Sequence, residues 1–211
     1  MTFYIPRHFR VEDREQLERF VQAHAFGTLV SPGPAGLVVS HVPFLPVRDP
    51  DGTLRLLGHV ARANPHWERL EAAGESLAIF GGPHAYVSPT WYANHPSVPT
   101  WNYAVVHARG PARLLPPAQL PSLLDRLSRT YEDGRPEPWR LDSLPPEHAA
   151  MLQKAIVGFE VVVTSLEGKF KLSQNRRPED VAGVAGALEA EGAVELAALM
   201  RAAAIPPGES R

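Results

Sequence analysis

Proline sets the grain of this chain. Of its 211 residues 22 are proline, and they recur between short apolar runs, at Pro32, Pro34, Pro43, Pro46, Pro50, Pro83, Pro89, Pro96 and Pro99. Proline is poorly tolerated in helix interiors and central strands. A chain punctuated in this way folds as many short elements joined by turns, and long helices are confined to its proline-poor stretches.

The apolar periodicity fills in those elements. Residues 13–23 predict a helix, with Leu17, Phe20 and Val21 on one face and Asp13 as its N-cap. Strands are predicted over 25–31, 37–47 and 53–60, with turns at 32–36 and 48–52 that make antiparallel hairpins. Asn64 and Pro65 predict the start of a helix over 64–73, because asparagine caps well and proline suits the first helical position. Further strands are expected at 76–82 and 84–89, then a loop at 90–100. A long strand follows over 100–115, bent at Gly110–Pro111. Residues 117–132 and 145–157 read as helices and 158–168 as a valine-rich strand. A barrel strand with helices outside it is buried on both faces, so charge at Val161, Val162 or Val163 is expected to be severe. The tail, 178–204, reads as Ala/Glu-rich helices broken near Gly192. Short strands with helices at the start, middle and end predict a small, mainly β barrel with peripheral helices.

Composition narrows the chemistry. There is no cysteine, which excludes disulfides, thiolate metal sites and thiol nucleophiles. The net charge is -2, whereas a protein that grips nucleic acid by charge is expected to be basic. The start, MTFYIPRHFRVEDRE, has no apolar h-region and no apolar run reaches membrane-spanning length, so a cytosolic chain is expected. His41, His59, His84 and His107 lie on predicted strands without a metal-ligand spacing, so no metal site is expected. Nucleophile-elbow, P-loop and dinucleotide-binding patterns are absent, and no catalytic residue is singled out.

Three stretches have chemistry in them. In EGKFKLSQN (167–175), an extended backbone puts Lys169, Lys171 and Ser173 on one face, which suits a phosphate or an anionic ring edge. The same pattern also describes an edge strand guarded by lysines. In GHVARANPHW (58–67), Arg62 stands two residues before the Asn64 cap, where helix N–H groups and a guanidinium favour an anion; a surface arginine beside an ordinary cap is the alternative. The stretch 84–107 gathers Tyr86, Trp91, Tyr92, Trp101 and Tyr103, either as an aromatic core or as a wall for a flat ring or a partner.

In order, YIPRHF (4–9), FGTLVS (26–31), SHVPFLP (40–46), GHVARANPHW (58–67), GPHAYVSPTWY (82–92), VPTWNYAVVHARG (98–110) and IVGFEVVVTSLEGKFKLSQNR (156–176) resemble the PaiB family of FMN-binding negative transcriptional regulators. The resemblance runs nearly the whole chain. It implies an antiparallel six-stranded split β-barrel of the FMN-binding, pyridoxine-phosphate-oxidase-like type over 1–176, with a C-terminal helical extension over 177–211. It also implies a homodimer with FMN at the subunit interface. On that reading His59, Arg62 and Asn64 grip the phosphate and Ser40 and His41 line the adjoining strand. Trp101, Asn102 and Tyr103 form the second subunit's wall, and Lys169, Lys171 and Gln174 close the site. The functions implied are regulation through DNA or a regulatory partner, with direct DNA binding doubtful on charge, or an FMN-dependent oxidoreductase acting on a small molecule.

Overall fold

A computed structural model describes residues 3–204. In chain order it contains β1 (Arg10–Val11), α1 (Arg14–Ala23), β2 (Phe26–Gly33), β3 (Gly36–Pro43), β4 (Leu45–Arg48), β5 (Leu54–Ala61), α2 (Trp67–Leu70), β6 (Ser76–Val87), β7 (Thr100–Gly110), β8 (Ala112–Leu114), α3 (Leu120–Glu132), α4 (Pro146–Lys154), β9 (Ile156–Val162), β10 (Ser165–Lys171), α5 (Pro178–Ala190) and α6 (Val194–Ala204). The chain divides into two compact units, one from 1–20, 81–106 and 167–211 as far as these are described, the other from 21–80 and 107–166.

In the first unit the strand order is β1-β10-β7-β6. Arg10 pairs antiparallel with Lys169, and Val11 with Gly168. Asp13 caps α1 as expected, its carboxylate accepting the Glu15 and Gln16 N–H groups. Gly168 lets α1 close on the sheet, since a Cβ there would stand 2.2 Å from Leu17 Cδ2. Helices α5 and α6 pack through Val184, Ala185, Leu188, Leu196, Ala197 and Met200, all buried.

In the second unit β2 lies between β3 and β6, and a separate order runs β4-β5-β9-β8. All the ladders recorded here are antiparallel. Phe44, Phe80 and Phe159 are fully buried and meet edge to face, Phe44 lying 5.3 Å from Phe80 and 6.0 Å from Phe159 between centroids. Leu120, Leu123 and Leu127 of α3 pack on Leu45, with Leu57 and Ile156 against them.

Several boundaries differ from those expected. The run 37–47 is two strands, because the Phe44 N–H leaves the ladder to donate to the Ala25 carbonyl at 2.8 Å while its ring enters the core. The two strands expected over 76–89 are one, β6, which continues through Pro83. The valine-rich strand breaks at residues 163–164, where the Val163 and Thr164 N–H groups turn to the Leu54 and Arg109 carbonyls. The helix expected over 64–73 shrinks to the four residues of α2. Among the described residues no helix is long and apolar enough to cross a membrane.

Candidate cofactor site

In the second unit the chain leaves β5 into a turn over 61–66 that is fixed on every side. The Asn64 N–H donates to the Ala61 carbonyl at 2.8 Å, and its side-chain oxygen accepts the His66 N–H at 3.0 Å. Asn64 therefore caps the turn that precedes α2, and the expected helix-dipole contribution lapses because α2 is one turn long. Asn64 Nδ2 donates to Ser40 Oγ at 2.9 Å, so β3 and the turn are tied directly. His66, which the sequence reading passed over, is completely buried. Its Nδ1 lies 2.8 Å from Ser40 Oγ and its Nε2 2.9 Å from Ser31 Oγ; Ser31 Oγ in turn lies 2.7 Å from Ser76 Oγ. These bonds satisfy one direction throughout: Asn64 to Ser40, Ser40 to His66, His66 to Ser31, Ser31 to Ser76. Burial pushes the His66 imidazole below the ordinary histidine range, so it stays neutral, as the relay requires.

Arg62 is committed more heavily than a free phosphate clamp would be. Its backbone N–H donates to the Ala155 carbonyl at 2.7 Å. Its Nε donates to the Lys154 carbonyl at 2.8 Å and its Nη2 to the Ile156 carbonyl at 3.2 Å. A cation on the carbonyls that follow a helix opposes the negative end of the dipole, so Arg62 anchors the end of α4. The guanidinium also lies 5.9 Å from the Trp67 ring centre, and Trp67 Nε1 donates to the Arg62 carbonyl. Nη1 alone is left over. Beside this anchor opens a cavity of about 620 Å³ lined by Arg62, Trp67, Leu115, Leu120, Lys154 and Gly158 among others.

His59 sits opposite Gly158 in the β5–β9 register. Its Nδ1 is buried with no hydrogen-bond partner among the described residues, and burial lowers its pKa. His41 is exposed on β3, 3.0 Å through Nδ1 from Thr28 Oγ1 across the hairpin.

The first unit holds the remaining expected residues. Trp101 is 54% exposed, its ring 6.4 Å from His84 and 6.2 Å from Tyr86. Asn102 points the other way, fully buried, donating to Ser173 Oγ at 2.9 Å and to Met200 Sδ at 3.3 Å. Ser173 does not share the lysine face: its φ is 67°, a left-handed conformation that costs a non-glycine residue about 1–2 kcal/mol. Gln174 serves the same turn, accepting the Leu172 N–H and donating to the Phe170 carbonyl. Asn102 and Gln174 thus spend their polar atoms on the fold. Lys171 donates to Thr100 Oγ1 and the Trp101 carbonyl. The Lys169 ammonium lies 5.2 Å from the Tyr4 ring centre and 5.5 Å from that of Tyr103.

The structure therefore joins Ser40 with Asn64 directly and both with His66, and Tyr103 with Lys169. It gives Asn102 and Gln174 to packing. The sequence offered one pointer to His66, its place in the NPHW turn; Ser31, Ser76, Thr100 and Tyr4 carried none. In the second unit a buried His59 ring nitrogen without a partner among the described residues and the spare Arg62 Nη1 suit a phosphate; in the first unit the exposed Trp101 ring suits a flat ring.

Similarity to solved structures defines the class. The flavocytochrome Anf3 from Azotobacter vinelandii superimposes with a TM-score of 0.62 at 18% identity, over 85% of this chain and 78% of that one. The FAD and heme binding protein from Mycobacterium smegmatis gives 0.60 at 16% identity, over 82% and 79%. The fold is that of the flavin-binding split barrels, mainly antiparallel sheet with peripheral helices. The family described as "Putative FMN-binding domain" matches residues 3–165. The protease synthase and sporulation protein PAI 2 of Bacillus subtilis is 38% identical over 200 residues, 93% of this chain and 96% of that protein. An uncharacterized protein of Emericella nidulans is 31% identical over 186 residues, 71% and 74% of the two chains. The chain belongs to this FMN-binding family, that of PaiB.

Proposed function

We propose that this protein binds FMN as a homodimer and acts as a PaiB-type negative regulator whose output is set at the flavin site. The observation that carries the reading is the turn over 61–66. Side-chain and backbone bonds from Asn64, Arg62 and His66 hold it in place, and preorganisation of this kind lowers the cost of binding. In this reading the phosphate end meets the turn through Arg62 Nη1, with His59, Ser40 and His41 nearby on β5 and β3. Trp101 and Tyr103 supply the ring wall from the second copy, as the family resemblance implies. When bound, the flavin supplies electron or hydride chemistry, and the protein orients it and excludes water.

Exposed Leu37 and Val39, two residues apart on β3 and 67% and 52% exposed, support a dimer, since exposed apolar side chains on a strand face are often covered by a partner. The net charge of -2 favours regulation through a ligand or partner over direct grip on DNA.

Titration with FMN and with riboflavin, followed by flavin fluorescence, tests the reading. A charge-assisted phosphate contact of roughly 1.5–3 kcal/mol predicts FMN binding at least about tenfold tighter than riboflavin. Equal affinities remove the phosphate role from the turn. Sedimentation of the flavin-loaded protein as a monomer removes the dimer interface.

A further inference from the structure

The strand β10 carries more positive charge than its described neighbours neutralise. Lys169 is only 9% exposed, yet its recorded partners are two ring faces. Lys171, two residues along the same strand, is half-buried and bonded to a hydroxyl and a carbonyl, both neutral, with the Phe9 ring 5.9 Å away. Among the described residues neither ammonium forms an ion pair. The adjacent acid, Glu167, lies 3.6 Å from Arg10, so Arg10, Glu167, Lys169 and Lys171 together leave two positive charges. Burial, then the charges of Lys169 and Arg176, lower the Lys171 pKa, which is the mark of a cation group short of a counter-charge.

An ammonium framed by aromatic rings and set beside a second ammonium, with no counter-charge among the described residues, favours the arrival of something negative. Oxidised FMN does not bring it: its one ionised group is the phosphate, separated from the ring by the ribityl chain. If Tyr103 walls the ring, Lys169 stands at the ring end, where the cofactor is neutral. The aromatic frame of Tyr4, Phe9 and Tyr103 also suits an organic anion better than a heavily hydrated inorganic one.

We propose that Lys169 and Lys171 form the binding site for an organic carboxylate, a second molecule that meets the protein at the ring end of the flavin site. Among the described residues Lys169 donates to no oxygen and Lys171 keeps one N–H, and a carboxylate offers about four lone-pair sites to receive these donors. The carboxylate is the substrate or effector through which the flavin site reports. The assignment of Tyr103 to the ring rests on the functional reading above; the uncompensated charge does not.

Benzoate serves as the probe, titrated by calorimetry at constant ionic strength into the protein alone, with saturating riboflavin and with saturating FMN. The expected result is saturable benzoate binding to all three. Lys169→Met should weaken it at least tenfold, and Lys171→Met should weaken it as well. Lys169→Met should also melt no lower than wild type in buffer free of organic anions, because it relieves the repulsion between the two lysines; that measurement shows that the variant is folded. FMN excluding benzoate while riboflavin does not would mean that the phosphate occupies the lysines, and overturns the proposal. So would benzoate affinity unchanged in both variants. Benzoate binding by a protein that binds neither flavin would sustain the anion site and remove the cofactor reading, so the two failures are distinguishable.

Discussion

At the scale of single residues, the turn over 61–66 shows how one buried imidazole governs several strands. His66 is held neutral between Ser40 and Ser31, and burial lowers its pKa. Its contribution to stability is complete above the unfolded value, about 6.5. As pH falls below that value the unfolded chain takes up the proton first. The contribution is then lost as pH drops through the lower folded value. Thermal melts should therefore fall as pH drops below about 6.5, and His66→Gln should flatten part of that fall; His59 has the same sign and sustains the rest. An unchanged pH slope in the variant would mean that His66 is not what acid disrupts. Arg62 makes the companion case. Because two of its guanidinium nitrogens hold carbonyls, Arg62→Ala should destabilise the fold by about 1 kcal/mol, visible in urea denaturation without flavin. Loss of FMN affinity with wild-type stability would return Arg62 to the role of a simple phosphate clamp.

At the scale of elements, the strand β9 separates what sequence shows from what it hides. Its valine run is legible as a strand, but the burial of each face is not. Val161 is fully buried whereas Val162 is half-buried, opposite Arg55 in the register, so the expectation that charge is severe at every valine is too broad. Val161→Asp should leave no soluble, cooperatively melting protein, since an unpaired buried charge exceeds about 4 kcal/mol. Val162→Asp, facing Arg55, should fold with a loss of about 1 kcal/mol. Equal solubility and melting of the two variants would refute the register argument. The α1 cap, the hairpin turns, α3 and the break before α6 could all be read because their causes are local. The split at Phe44 could not, because it depends on a bond to Ala25. Nor could the roles of Arg62 and Asn102, whose side-chain hydrogen-bond partners lie 92 and 71 residues away at the closest. The same limit hid His66: its partners come from β2 and β3, and no linear spacing encodes them.

At the scale of the whole molecule, charge bears on the regulatory role. A dimer would carry roughly twice the chain's net charge of -2, and DNA affinity grows with the number of phosphates neutralised. Anisotropy with promoter DNA near physiological salt should show only weak binding by the pure protein. Nanomolar, sequence-specific binding would mean that dispersed arginines and lysines assemble a basic face. The division of the chain has a different consequence, which concerns synthesis. The first unit draws on residues 1–20, 81–106 and 167–211 as far as these are described, so its strands β1 and β10 meet only when the chain has been made as far as Lys171. The second unit has all its segments by residue 166. On the ribosome, where chains emerge from the N-terminus onward, the second unit is the first able to form. The N-terminal segment must wait for its partner strand, with Phe9, Leu17 and Phe20 in need of shelter until the lysine-bearing strand arrives. The site that those lysines form cannot exist before β10 is made.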